Sequence, residues 1–119
     1  MLNINLSSIL SALAILAVAS GEQGTLGAKF YKDECYGPVL GSATGGTGAF
    51  GSCRNYPDGA HFVQSSDGCE NGHNMYITYF PGFSCGRQED GTRIRVGDGC
   101  YNINVGFGPK SYTMTCKVG

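Results

Sequence analysis

The sequence predicts an all-β protein, a small disulfide-stabilised sandwich of two Greek-key motifs. Short stretches rich in aromatic and β-branched residues recur at roughly ten-residue spacing between Gly- and Pro-containing turns. One spacing, Cys-x-Asn-x3-Gly-x9-Cys, begins at Cys53 and again at Cys100. A chain of 119 residues with 20 Gly and 6 Cys has a small core, and cross-links are typical of such domains.

The N-terminal segment is set apart by its composition. The stretch from Ile9 to Ala19 is apolar and uncharged, and it is too short to span a hydrocarbon core comfortably. It ends in Ala17-Val-Ala19, the small-x-small pattern of a signal-peptidase site, although the leader contains no Lys or Arg. We expect 1–19 to be a signal peptide and 20–119 a single mature all-β domain in a secreted, extracellular protein. An uncleaved membrane anchor is the alternative.

In the first half of the mature chain, we predict strands over 28–32, 49–53 and 60–65. A Gly-, Ser- and Thr-rich stretch over 42–48 is expected to be a long loop around a weak strand. Tyr56-Pro-Asp-Gly59 is a strong turn signal, because Pro fixes one φ and Gly accepts a positive one.

The second half gives clearer strands, over 74–80, 92–96, 101–105 and 111–118. Alternation over 74–80 places Tyr76, Thr78 and Phe80 on one face and Met75, Ile77 and Tyr79 on the other. In the strand over 92–96, Arg93 and Arg95 are predicted to face outward, and Ile94 and Val96 inward. In the strand over 101–105, the aligned positions are Tyr101, Ile103 and Val105.

The repeated spacing extends upstream, because Phe-x4-Cys occurs at Phe30 and again at Phe80. Two repeats, over 28–69 and 75–116, therefore predict two Greek-key units packed face to face. Each repeat contains three cysteines, so at least one disulfide must cross between them. Among the possible pairings we favour one bridge inside each repeat and one between equivalent positions. These bridges are Cys35–Cys53, Cys85–Cys100 and Cys69–Cys116.

The opening stretch Phe30-Tyr-Lys-Asp-Glu-Cys35-Tyr-Gly37 resembles the hairpin signature of the βγ-crystallin-like superfamily, aromatic-x4-aromatic-x-Gly, with Cys35 at the second aromatic position. In the second repeat, Gly86 follows Cys85 directly and comes one residue early. The resemblance, which spans about 28–116, implies a secreted microbial protein of the killer-toxin or protease-inhibitor type. The family's calcium motif needs two adjacent Asp or Asn residues, and the sequence has no such pair. The resemblance therefore does not imply calcium binding.

No catalytic or cofactor-binding pattern is evident. No two cysteines lie closer than fifteen residues, which excludes a Cys-x2-4-Cys zinc knuckle, and no Gly-x-Ser-x-Gly occurs. A ribonuclease-like set would need Glu, Arg and His, but no spacing singles one out around His61 or His73. We therefore predict no enzyme, no metal and no cofactor.

These features favour a binding protein, namely a toxin, an antimicrobial or a host-interacting effector, whose partner is an extracellular protein, a cell wall or a membrane. A net charge of −1 without a basic stripe argues against nucleic acid. The alternatives are a protease inhibitor with a rigid loop from Pro81 to Glu89, and a small ribonuclease-like hydrolase using His61 or His73. The candidate binding surface comprises Tyr79, Phe80, Phe83, Arg93 and Arg95.

Overall fold

The computed structural model describes residues 25–45 and 52–118, which form eight β-strands and one short 3-10 helix, Gln88–Asp90, with no α-helix. The predicted signal peptide lies outside these residues, as does most of the strand predicted over 49–53. Across the described ranges, no helix has the length and hydropathy needed to cross a membrane. The strands are β1 Leu26–Tyr31, β2 Val39–Gly45, β3 Arg54–Asn55, β4 Phe62–Ser66, β5 His73–Phe80, β6 Thr92–Val96, β7 Gly99–Asn102 and β8 Ser111–Val118.

The strands form two antiparallel four-stranded sheets, which confirms the all-β sandwich. The first sheet has the order β2-β1-β4-β7 and the second the order β3-β8-β5-β6. One hydrophobic cluster lies between them and draws side chains from both. The first sheet contributes Leu26, Ala28, Phe30, Ala43 and Val63, and the second contributes Met75, Ile77, Tyr79, Val96, Tyr112, Met114 and Cys116.

The predicted alternation is confirmed in the second sheet. Met75, Ile77 and Tyr79 on β5 belong to the core cluster. On β6 the two arginines are exposed, whereas Val96 is buried and Ile94 packs against the core. The prediction was wrong for β2, which is a seven-residue strand paired with β1 rather than a loop around a weak strand. Its small residues are accommodated because Ala43 lies opposite Ala28 in the core.

Each half of the chain, β1–β4 or β5–β8, contributes one strand to the sheet of the other half. β3 follows β2 in sequence but pairs with β8 of the second sheet, and β7 pairs with β4 of the first. Each sheet therefore combines three strands from one half with one strand from the other. If each strand of β1–β4 is replaced by its counterpart in β5–β8, and the reverse, the strand order of one sheet becomes that of the other. The two sheets are therefore built in the same way. The Greek-key description of each half stays a prediction.

The disulfides follow this exchange. The structure pairs Cys35 with Cys100, Cys53 with Cys85 and Cys69 with Cys116. The favoured Cys69–Cys116 bridge is confirmed, but the favoured Cys35–Cys53 and Cys85–Cys100 bridges are wrong. Cys53 precedes β3 and Cys100 lies in β7, so each accompanies an exchanged strand into the sheet of the other half. All three bridges consequently join one half to the other.

The repeated phenylalanines occupy different positions. The amide of His61 donates to the carbonyl of Tyr31 at 2.9 Å, and the amide of Lys110 donates to the carbonyl of Phe80 at 2.8 Å. Tyr31 therefore corresponds to Phe80, and the structural counterpart of Phe30 is Tyr79. Phe30 and Tyr79 both face the core, whereas Phe80 lies on the outer face of its sheet.

The repeated turn glycines do correspond. Gly59 has a φ of 82° and Gly106 a φ of 83°, in the left-handed region that side chains disfavour. A methyl group added at Gly106 would meet no atom within 4 Å, so the backbone alone explains the need for glycine there.

We expect Gly106→Ala to lower the free energy of unfolding by about 1 kcal/mol, because alanine disfavours the left-handed conformation. Gly108→Ala is the matched control, since Gly108 lies in the same loop, in equally open space, without a positive φ. It should change stability by less than about 0.5 kcal/mol. Chemical denaturation of both variants measures the difference, and equal effects would contradict the assigned backbone role.

An aromatic cluster fills the core. The rings of Phe30 and Tyr112 lie 4.9 Å apart, and those of Tyr56 and Tyr79 lie 5.9 Å apart. The Tyr56 hydroxyl donates to the carbonyl of Ala60 at 2.5 Å. Burial raises the pKa of Tyr56 from 10.0 to about 12 and also raises the pKa of Tyr79 and of Tyr112.

These raised pKa values predict alkaline unfolding. The folded state holds the phenolic proton of Tyr56 more tightly than the unfolded chain does. The resulting stability is complete below pH 10.0 and is lost as the pH rises toward about 12. The thermal unfolding midpoint should therefore fall over this window. Tyr56→Phe removes the ionisable group, so its midpoint should fall less steeply with pH, whereas an unchanged slope would contradict the prediction.

Candidate functional site

One end of the sandwich gathers four connecting segments, which we call the loop end. The segments 32–38 and 81–91 leave β1 and β5, and the segments 56–61 and 103–110 lead toward β4 and β8. Backbone hydrogen bonds interlock the last two. The amide of Ile103 donates to His61 at 2.8 Å, and the amide of Tyr56 donates to Lys110 at 3.1 Å.

A cleft of about 220 Å³ opens between these two interlocked segments. His61 lines it with Nδ1 3.2 Å from the carbonyl oxygen of Lys32. A carbonyl accepts only, so Nδ1 is the donor in this contact. The cleft thus combines an imidazole, a carboxylate, an ammonium group and apolar walls. Its principal side chains are Tyr56, Asp58, His61, Ile103, Phe107 and Lys110.

The two histidines are not brought together. His73 begins β5 at the opposite end of the second sheet, where its Nδ1 lies 3.8 Å from Oε1 of Glu70. A strand of eight residues separates it from the loop end. The hydrolase alternative would therefore depend on His61 alone, and it stays a prediction. Within 25–45 and 52–118, no group of three or more His, Cys, Asp or Glu side chains is placed to hold a metal ion.

Phe83 protrudes from the loop end on a fastened turn. Its side chain is 72% exposed, whereas Ser111 beneath the turn is fully buried. The Ser111 hydroxyl donates to the carbonyl of Gly82 at 2.6 Å and accepts the amide of Cys85 at 2.9 Å. Cys85 is also bonded to Cys53. The residues on both sides of Phe83 are consequently anchored, although the ring itself faces solvent.

Tyr36 is an exposed aromatic of the first half that lies at the same end. It is 72% exposed, and its φ of 71° lies in the left-handed region. A bulky residue is strained there, and such strain concentrates at functional positions. Its ring lies 6.4 Å from that of Tyr31, and its neighbour Cys35 is fixed by a disulfide to Cys100.

The predicted binding surface is divided by the structure. Tyr79 and Phe80 are 2% and 4% exposed, so their assignment to a binding surface was wrong. Tyr79 faces the core, and Phe80 is covered by the segment around Gly91, whose added Cβ would meet the Phe80 ring at 2.7 Å. Phe83 lies at the loop end. Arg93 and Arg95 are exposed elsewhere, on the outer face of the second sheet.

Sequence reasoning missed Tyr36, Asp58 and Lys110 as loop-end residues. The repeat contained the relevant signal, because equivalent connections of two equivalent halves meet at one end of a sandwich. No protein-family model matches the chain, and neither a curated protein nor a solved structure matches it.

We expect Ser111→Ala to lower the free energy of unfolding by about 1–3 kcal/mol, because it leaves the buried Cys85 amide and the partly buried Gly82 carbonyl without their partner. Amide hydrogen exchange at Cys85 should accelerate, since that N–H loses its acceptor. Ser84→Ala in the same loop is the control, because Ser84 is exposed. Unchanged exchange at Cys85 in the Ser111 variant would contradict the anchoring role.

Proposed function

We propose that this chain is a secreted, disulfide-stabilised binding protein that acts without catalysis, as a toxin, an antimicrobial or a host-interacting effector. The observation that carries the proposal is the solvent-facing Phe83 on a turn anchored by Ser111 and Cys85. Three disulfides among the described residues are compatible with an extracellular location.

An exposed aromatic ring on an anchored turn lowers the free-energy cost of association. A large aromatic ring supplies much contact area but has few rotatable bonds, so little conformational entropy is lost when a partner covers it. Anchoring the turn on both sides reduces the ordering cost further. Tyr36 offers a second exposed aromatic at the same end. An extracellular protein, a cell wall or a membrane would be the partner.

A protease inhibitor is the second candidate. Its predicted loop, from Pro81 to Glu89, contains the anchored turn and continues into a charged segment. The Nε of Arg87 lies 3.5 Å from Glu89 and 3.8 Å from Asp90, although these groups are largely exposed and their ion pairs contribute little stability. A fastened loop with an exposed Phe83 supports this candidate, because inhibitors present one side chain on a rigid loop.

The crystallin-like relationship also stays a proposal. Tyr36 and Gly86, each one residue beyond a disulfide cysteine, have φ angles of 71° and 72°. This agreement supports a common geometry for the hairpin connections after β1 and β5. Gly86 thus matches Tyr36 in position rather than Gly37, which accounts for its coming one residue early.

The test applies purified mature protein to bacterial, yeast, plant and animal cells, with growth and viability as readouts. Phe83→Ala should abolish the effect, because the exposed anchor is removed, while the thermal unfolding midpoint stays unchanged. Val118→Ala is the matched control. Val118 is an equally exposed apolar side chain, at 76%, and it lies at the opposite end of β8.

Activity that survives in the Phe83 variant would contradict the loop-end assignment. No effect on any cell type, together with no binding to cell surfaces, would contradict the proposed function. Inhibition of purified serine, cysteine or metalloproteases, lost in the same variant, would establish the second candidate instead. Cleavage of RNA that is abolished by His61→Ala would show that the protein is an enzyme.

A further inference from the structure

The outer face of the second sheet has an uneven charge distribution. The core-facing positions of β5 are Met75, Ile77 and Tyr79, so the alternate positions point outward. Register places Arg93 and Arg95 of β6 beside these outward positions on one side, and Lys117 of β8 on the other. The outward positions over β6, β5 and β8 are Arg93, Arg95, Asn74, Tyr76, Thr78, Phe80, Ser111, Thr113, Thr115 and Lys117.

This set contains three cations and no carboxylate, although acidic residues outnumber basic ones in the whole chain, nine to eight. No ion pair involves Arg93, Arg95 or Lys117 within the part of the chain that the structure describes. Like charges gathered on a chain of net charge −1 create a local positive potential. An anionic partner would complement it.

Arg93 is held in place before any partner arrives. Its guanidinium carbon lies 4.6 Å from the centroid of the Tyr76 ring, a cation–π contact. The stacked guanidinium keeps donors that can bind an oxyanion, and less side-chain entropy is lost on binding because the group is already oriented.

The three cations are spread along the face and do not converge on one point. Arg93 and Arg95 are two residues apart on one strand, which corresponds to about 7 Å. Lys117 lies two strand spacings across β5 and two residues beyond the level of Arg95, which together place it about 12 Å from Arg95. This spacing suits a polymer with repeated negative charges better than a single small anion.

The rest of the face distinguishes between classes of polyanion. Tyr76 and Phe80 are buried, at 9% and 4% exposure, so no outward apolar side chain is available to insert into a bilayer or stack on a nucleobase. Thr78 and Thr115 between the cations are also buried, at 2% and 8%, so the partly exposed hydroxyl of Thr113 is the one left beside the cations to form hydrogen bonds with sulfate, carboxylate or sugar hydroxyl groups. We infer that this face binds an acidic polysaccharide, with Arg93 and Arg95 contacting its anionic groups.

The experiment measures binding of the disulfide-intact protein to heparin and to polygalacturonate, with uncharged dextran as the negative probe. Binding should be detectable at about 20 mM salt and should fall by about tenfold or more at about 200 mM, because exposed charges are screened. The double variant Arg93→Gln with Arg95→Gln should bind about tenfold more weakly. Circular dichroism should show that it retains the native fold.

The matched control is Arg87→Gln with Lys29→Gln, which removes the same charge from exposed positions outside this face. It should bind like the original protein, and so should Phe83→Ala, because the loop end is a separate surface. Because Phe83→Ala should abolish the effect on cells but leave polysaccharide binding unchanged, failure of this inference can be distinguished from failure of the proposed function. Absence of binding, equal losses in the two double variants, or stronger binding to phosphatidylserine vesicles or duplex DNA than to both polysaccharides would overturn the inference.

Discussion

β3 and β7 each pair within the sheet built by the other half of the chain, and the remainder of the structure depends on this exchange. A half without its partner would lack the fourth strand of its sheet and one wall of the core. Cys53 and Cys100 accompany the exchanged strands and are bonded to Cys85 and Cys35. The side chain of Arg54 on β3 also donates to the carbonyl of Thr44 at 2.7 Å, which joins an edge of each sheet. The halves are therefore coupled by strand pairing, covalent bonds and a shared core.

This coupling gives the loop end a rigid base. The exchanged strands bring the segments 56–61 and 103–110 together, and two disulfides fix the connections that carry Tyr36 and Phe83. Exposed aromatics on such a base can contact a partner without much ordering of the backbone. The outer face of the second sheet has different chemistry, because its aromatics are covered and its cations are free of ion pairs among the described residues. The molecule thus presents exposed aromatic side chains at one end and a cationic face on the second sheet, two surfaces of different chemistry.

Local pattern located most of the strands, but it missed β2, placed β7 two residues late and predicted the disulfide partners poorly. Alternation correctly assigned Met75, Ile77 and Tyr79 to the core, because side-chain direction is a property of the strand itself. The disulfide pairing depends on which sheet receives β3 and β7, and no local spacing records that choice. The burial of Phe80 on the outer face was not predicted either, because the segment around Gly91, which is distant in the local pattern, covers its ring. Phe83 lies only three residues further along, and yet it is exposed because the turn carries it beyond the sheet.

The crossing bridges determine what a single proteolytic cut would do to the molecule. Phe83 lies between Cys69 and Cys85, and an exposed aromatic in a connection is open to cleavage by a chymotrypsin-like enzyme. A cut there would leave one fragment with Cys35, Cys53 and Cys69 and the other with Cys85, Cys100 and Cys116. Every disulfide would still join the two fragments. The nicked molecule would be a covalent two-chain protein with its sheets still paired, and loss of a single peptide bond would not release either half.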